Sequence, residues 1–450
     1  MSNLKVGFAR TIITPPLGVG ISGYFQTRYA EKILDDLFVN AIAISVDGKT
    51  TVLISVDGLN CPVDENTEIR TRAAEKCGIP VEAVYLAFTH THTGPFFNVN
   101  RKDTTDLERE YFAFAKSKMV DAAVMAFEDL KDAKAGIATS FAPRISFGRR
   151  YRMKDGSVRT NPGVKNPDIV EPIGKIDESV SLVRFDREGA ETIALVSFAT
   201  HPDVIGGNVI SADWPAFVRS TLEAALDNVK CIFFNGAQGD VNHVNVAPLP
   251  GEENGLHKDF DDVDRGYPHS KHMGNVVAGA VLQVYEKVKY IDIDSIDYAT
   301  KDVKVPANLP DPSEIPLAKK YHELHMAGRD EEIPFKGMGL TTEVARAARI
   351  VRLEHGPDSF IIPIAAVKVG KIGFVGFAGE PFSGIGMGVK ANNDQCEMVI
   401  PCCLVNGSTG YFPMMDSYAE GGYESGSSNF KAGVGEILID EATKLLKSLY

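Results

Sequence analysis

The sequence predicts an α/β fold, a mixed β-sheet core flanked by helices, with long loops at the strand ends. Three observations predict it. Short β-rich runs alternate with amphipathic helical stretches throughout, no repeat of fixed period appears, and the 450 residues are 44% hydrophobic and 24% charged, as in ordinary globular chains. In chain order, strands are predicted over 38–45 and 51–56, then a helix over 66–76 and a strand over 83–88. A helix over 106–130 precedes strands over 134–139, 180–185 and 193–198, a helix over 214–226 and a buried strand over 231–234. The second half predicts helices over 272–288, 312–326 and 342–353, strands over 360–367, 372–377 and 397–403, and a closing helix over 434–448.

Two irregular stretches, 148–177 and 245–268, exceed ordinary connection lengths, and the second contains the acidic run 259–264. Long loops within a compact chain cost ordering entropy without burying a core, so they read as functional covers rather than linkers. One domain, 1–450, is expected. Sixty acidic against 47 basic residues leave a net charge of −13, which argues against nucleic acid and anionic membrane surfaces as partners. No apolar run approaches the ~18 residues of a membrane span, and residues 1–20 show no secretory pattern, so a cytoplasmic location without stable membrane association is expected. The six cysteines lack CxxC spacing, and most lie in or beside apolar runs, which reads as reduced core residues.

Chemistry-bearing residues gather where apolar runs end. The run through Ala87-Phe88 leads into Thr89-His90-Thr91-His92-Thr93-Gly94-Pro95, and i, i+2 spacing on a strand would put both imidazoles on one face. Neutral imidazole is the commonest metal ligand, although two histidines could also merely cap a strand. A second run ends in His201-Pro202, and a third in Gly379-Glu380-Pro381. In α/β sheets ligands gather at strand ends, and a carboxylate closing a buried strand needs a cation, whether a metal or a basic side chain. The glycine-bearing segment from Asn406 to Pro413 contains Tyr411 and leads on to Tyr423, while 235–243 is a small polar turn like a weak anion-binding nest. His322 and His325 lack the i, i+4 spacing of the zincin motif and read as a solvated helix face. The glycines of 384–388 lack the dinucleotide pattern, and neither a GxSxG elbow nor a P-loop is present.

With these residues assembled, the chain resembles the neutral/alkaline non-lysosomal ceramidase family across nearly its whole length. The segment from Thr89 to Pro95 is similar to that family's THTHSGP signature. His201-Pro202 with Ser211-Ala212-Asp213-Trp214-Pro215, then Gly239-Asp240-Val241, Gly379-Glu380 and the stretch from Asn406 to Tyr423 follow in the family's order. The resemblance implies a ceramidase-like catalytic domain with one zinc ion per chain, bound by His90, His201, Glu380 and Tyr411. It implies that His92 is a proton carrier and that Tyr423 faces the substrate carbonyl, with Arg149 as a looser match. From the residues alone, His92 could equally be a fifth ligand.

The chain departs from the family after Gly239-Asp240-Val241, where serine-proline-asparagine is replaced by Asn242-His243-Val244. Asn242 therefore joins the candidate catalytic residues, and amide specificity is in question. The C-terminal β-sandwich and secretion signal of the lipid-acting members are also not seen. The charged loops 148–177 and 245–268 suit a compact polar substrate better than an acyl chain. The expected function is zinc-dependent hydrolysis of an amide, ester or lactone of a small molecule. The alternatives are a true ceramidase, a lyase or epimerase acting on a sugar-like substrate, and a non-catalytic binding protein.

Overall fold

A computed structural model of the chain describes residues 3–250, 252 and 265–450. The acidic run 259–264 and most of the rest of 251–264 lie outside the described residues. Two sheets form the core. The larger has nine strands, β1 (Leu4–Ile12), β2 (Phe38–Val46), β3 (Lys49–Val56), β4 (Val84–Phe88), β5 (Lys131–Phe141), β6 (Ser179–Arg187), β7 (Thr192–Phe198), β8 (Val229–Asn235) and β9 (Lys289–Ile291). They lie in the order β8-β7-β6-β5-β1-β2-β3-β4, with β9 paired to β5. The smaller sheet runs β10 (Ile296–Pro306), β11 (Ser359–Val369), β12 (Ile372–Phe377) and β13 (Met398–Cys402).

The period-two alternation of side chains explains the layering. On β2, Val39, Ala41 and Ala43 face helices α1 (Val63–Cys77) and α2 (Asp106–Glu128), while Ile42, Ile44 and Val46 face the second sheet. Phe374 and Ile372 of β12 meet them from the other side, with Tyr85 and Phe234 in the same core. Helices α3 (Trp214–Ala225) and α4 (Tyr267–Val284) cover the other half of the large sheet, burying Trp214, Val218, Met273 and Val277. The outer face of the small sheet packs on α7 (Ser383–Ala391) and α10 (Val434–Lys447). The result is a helix–sheet–sheet–helix stack, an α/β fold with mixed sheets and flanking helices, as the sequence predicts.

Helices α5 (Ile315–Met326) and α6 (Met338–Leu353) form a hairpin inserted between the antiparallel neighbours β10 and β11. Small apolar clusters around Ile350 and Leu324 hold it together. The short helices α8 (Asp416–Glu420) and α9 (Tyr423–Ser427) follow the Tyr411 segment. Within the two core sheets, three pairs, β3–β4, β7–β8 and β12–β13, are parallel. All six cysteines are free, five of them buried, as the sequence reading has it. Among the described residues no helix is long and apolar enough to cross a membrane.

Candidate metal centre and its pocket

The candidate residues hang from the C-terminal ends of parallel strands. His90 follows β4, His201 follows β7, Glu380 follows β12, and Tyr411 follows β13. Glu380 and Tyr411 are direct partners in a two-residue parallel ladder, which puts their side chains side by side. Asn235, at the end of β8, ties the two histidine loops together: its Nδ2 donates to the carbonyls of Thr89 at 3.0 Å and Thr200 at 3.2 Å, each one residue before a histidine.

The strand-face argument for His90 and His92 is corrected by the backbone. β4 ends at Phe88, and His90 lies in the left-handed region at φ 77°, uncommon for a residue with a Cβ. A turn, not strand alternation, brings the two rings to 4.9 Å between centroids. The strained backbone is held by His90 N–H donating to the Gly58 carbonyl at 2.8 Å and by Thr91 and Thr93 hydroxyls donating to the Ser211 carbonyl.

The nitrogens and oxygens converge. Glu380 Oε2 lies 3.2 Å from His90 Nε2 and 3.1 Å from His201 Nε2. Tyr411 Oη is 3.3 Å from His201 Nε2, and His92 Nε2 is 3.3 Å from His90 Nε2. His90 Nδ1 meets the Leu59 carbonyl at 3.0 Å, and His201 Nδ1 meets those of Gln238 at 2.8 Å and Val241 at 3.0 Å. A carbonyl only accepts, so each Nδ1 carries the proton and each Nε2 presents a lone pair. Burial and the neighbouring Arg149 push His201 down to about 4, which keeps its ring neutral.

Two lone pairs and a carboxylate facing one another in a nearly waterproof site repel unless a cation sits among them. The spacing suits one: a tetrahedron with arms of about 2.1 Å has edges of about 3.4 Å, close to the 3.1–3.3 Å between these atoms. The buried His90, His92 and His201 group can hold a metal ion, and Glu380 and Tyr411 adjoin it.

Arg149 ion-pairs with the fully buried Glu424 at 2.9 Å, donates to the Gly239 carbonyl at 2.7 Å and comes 3.5 Å from His201 Nε2. The turn 235–243 therefore offers carbonyls to His201 and Arg149 rather than N–H groups, and it is not the anion nest its composition suggests. Tyr423 stands beside Tyr411, ring centroids 5.8 Å apart, and burial next to Glu380 raises its phenol, so it stays a donor. Asn242 lines the pocket, but its Oδ1 accepts from Val244 N–H at 3.0 Å.

His92, His201, Tyr411 and Tyr423 form the floor of a pocket of about 710 Å³. Its walls include Arg149 and Asn161 from 148–177, Arg265 from 245–268, Phe25 and Phe96, and Met338 and Leu340 of α6. His325, read from sequence as a solvated helix position, lines it too, paired with Asp330 at 2.8 Å. Sequence reasoning also passed over Gln238, Glu424 and Asp203. Only Asp203 left a signal, an acid two residues after His201.

An α/β stack with a buried histidine group able to hold a metal at its strand ends defines the class of this protein. In fold it is ceramidase-like. It matches the crystal structure of neutral ceramidase from Pseudomonas aeruginosa with a TM-score of 0.73 and 17% identity, over 100% of this chain and 75% of that one. A ceramidase complexed with C2 matches with the same TM-score and 16% identity, over 99% and 75%. No family model and no curated protein matches the sequence.

Proposed function

We propose that this protein is a zinc-dependent hydrolase of an acyl bond, an amide, ester or lactone, in a compact substrate. One observation carries the reading: His90 Nε2, His201 Nε2, Glu380 Oε2 and Tyr411 Oη converge within 3.1–3.3 Å contacts, with both Nδ1 protons committed to backbone carbonyls, beside an accessible pocket that His201 and Tyr411 line. The ceramidase-like fold supports acyl-bond chemistry.

Two imidazoles, a carboxylate and a phenol oxygen are a borderline-soft donor set that suits zinc, and four protein ligands leave room for one more. Bound there, zinc would lower the pKa of a water toward ~7 and polarise a carbonyl. The chain's own residues do the rest. Tyr423 donates a hydrogen bond to the oxygen on which negative charge develops, a contact worth about 3 kcal/mol. His92 accepts the proton released by the attacking water and passes it to the leaving group. Burial pushes His92 down to about 3 despite the pull of Asp203, so the free ring stands neutral. Arg149, locked by Glu424, holds His201 and Tyr411 in place through its contacts with both.

The test is metal content by elemental analysis on protein incubated with zinc and desalted. Wild type should carry about one zinc, His201→Ala well under one, and His92→Ala about one with activity lost. Loss of metal from His92→Ala would make that residue a ligand. Retention of metal in His201→Ala, or no hydrolysis across p-nitroanilides, p-nitrophenyl esters and lactones by the zinc-loaded wild type, would overturn the reading.

A further inference from the structure

His92 is the one member of the histidine group without a carbonyl at its second nitrogen. Its Nδ1 is buried and makes no hydrogen bond, a condition rare enough to require an explanation. Asp203 Oδ1 faces it at 3.8 Å. The aspartate is fixed from two sides: Tyr24 Oη donates to the same Oδ1 at 2.8 Å, and Arg265 lies 3.6 Å from Oδ2 while donating to the Asp203 carbonyl at 2.7 Å.

The ring is wedged as firmly. Gly23 has φ 109°, and a Cβ there would come within 2.9 Å of His92 Nδ1 and 3.0 Å of its Cβ. Arg28 donates to the His92 carbonyl at 2.6 Å and stacks its guanidinium 3.9 Å over the Tyr24 ring. His92 N–H donates to the carbonyl of Pro202, the residue before Asp203, at 3.0 Å. Three loops far apart in sequence thus interlock around one imidazole.

We infer that Asp203, clamped by Tyr24 and Arg265, is a positioning residue that holds His92 with its proton on Nδ1 and its Nε2 lone pair turned toward His90. The opposite tautomer would aim the Nδ1 lone pair at the Asp203 carboxylate, which repels it, and would leave its Nε2–H to hydrogen-bond the His90 lone pair, an option that closes once a metal takes that lone pair. A gap of 3.8 Å exceeds a hydrogen bond, and such contacts tighten when a substrate completes the site. Among the described residues Asp203 makes its side-chain contacts with Tyr24, His92 and Arg265, and nothing in the motif around His201 requires an acid at this position.

The inference rests on His92 being the proton carrier, and the experiment separates the two. Asp203→Asn, Asp203→Glu and Tyr24→Phe would be compared with His92→Ala, all zinc-loaded, using p-nitrophenyl acetate as probe. Asp203→Asn should keep about one zinc per chain and a KM within a few-fold of wild type, while kcat falls about 10²- to 10⁴-fold, as expected of a wrong tautomer. Asp203→Glu should restore most of the loss, and Tyr24→Phe should cost less than Asp203→Asn. In zinc-loaded ¹⁵N-histidine-labelled protein, His92 should show the Nδ1–H tautomer, and Asp203→Asn should abolish that preference. Wild-type kcat in Asp203→Asn beside an inactive His92→Ala would overturn the inference and leave the proton carrier standing. Full activity in His92→Ala would remove the carrier and the inference with it. An unchanged His92 tautomer in Asp203→Asn would also overturn it, whatever the activity.

Discussion

Asp35 shows how far a single residue's surroundings can shift its chemistry. It is half-buried, accepting from the Ser211 hydroxyl at 2.5 Å and from Ala212 N–H at 2.8 Å, yet burial pushes its carboxyl up to about 6 from an ordinary 3.8. Between those two values the folded protein binds more protons at this site than the unfolded chain, so Asp35 makes stability fall as pH rises through that window. Urea unfolding at pH 4.5 and 7.5 should therefore show wild type gaining on Asp35→Asn at the lower pH. A stability difference independent of pH would refute the shifted carboxyl. At this scale the candidate metal ligands were legible because His90, His201 and Glu380 each end an apolar run, where a polar side chain needs a purpose. Asp203 left only its place two residues after His201 as a signal, because its role depends on Tyr24 and Arg265, brought to it by folding alone. The turn at His90 left none, since no spacing rule announces its φ of 77°.

Between elements, one buried ion pair joins sheet to helix next to the site. Asp57, just past β3, receives both Arg219 nitrogens from α3 at 2.9 and 2.6 Å and also accepts from Phe38 N–H at the start of β2. Both charges are nearly waterproof, at 0% and 4% side-chain exposure. Arg219→Met leaves a bare carboxylate in the core and should cost about 3–5 kcal/mol in urea unfolding. Adding Asp57→Leu should recover much of this but not all, because the Phe38 N–H then loses its acceptor at about 1–3 kcal/mol. No recovery would mean that the pair, rather than its orphaned charge, supplies the stability. The elements that the sequence did not disclose have local reasons. β1 carries Gly7, a poor strand former, because a Cβ there would lie 1.9 Å from the Ala126 carbonyl of α2. β10 is an edge strand with exposed Lys301 and Lys304, charges that protect an edge and blur its apolar pattern. α7 reads as a glycine-rich loop because Gly386 and Gly388 must clear Ala237 and Ile439 by less than a side chain.

Across the whole molecule, the candidate ligands come from both layers of the stack. His90 and His201 end strands of the nine-stranded sheet, and Glu380 and Tyr411 follow strands of the four-stranded one. A metal held by all four would therefore cross-link the two sheets at one end, adding to the apolar faces and the few hydrogen bonds, such as Asn406 N–H to the Leu86 carbonyl, that join them there. Binding to the folded chain only would add about 2.7 kcal/mol when free zinc is 100-fold above its Kd. Unfolding entropy of about 2.1 cal/mol/K per residue gives about 0.9 kcal/mol/K for 450 residues, so zinc should raise Tm by about 3 °C over chelator-treated protein. His201→Ala should show no such rise, whereas Asp203→Asn, which leaves the ligands intact, should show it in full. An equal rise in His201→Ala would place the stabilising zinc elsewhere in the molecule, since a cross-link that survives the loss of one of its ligands is not made there.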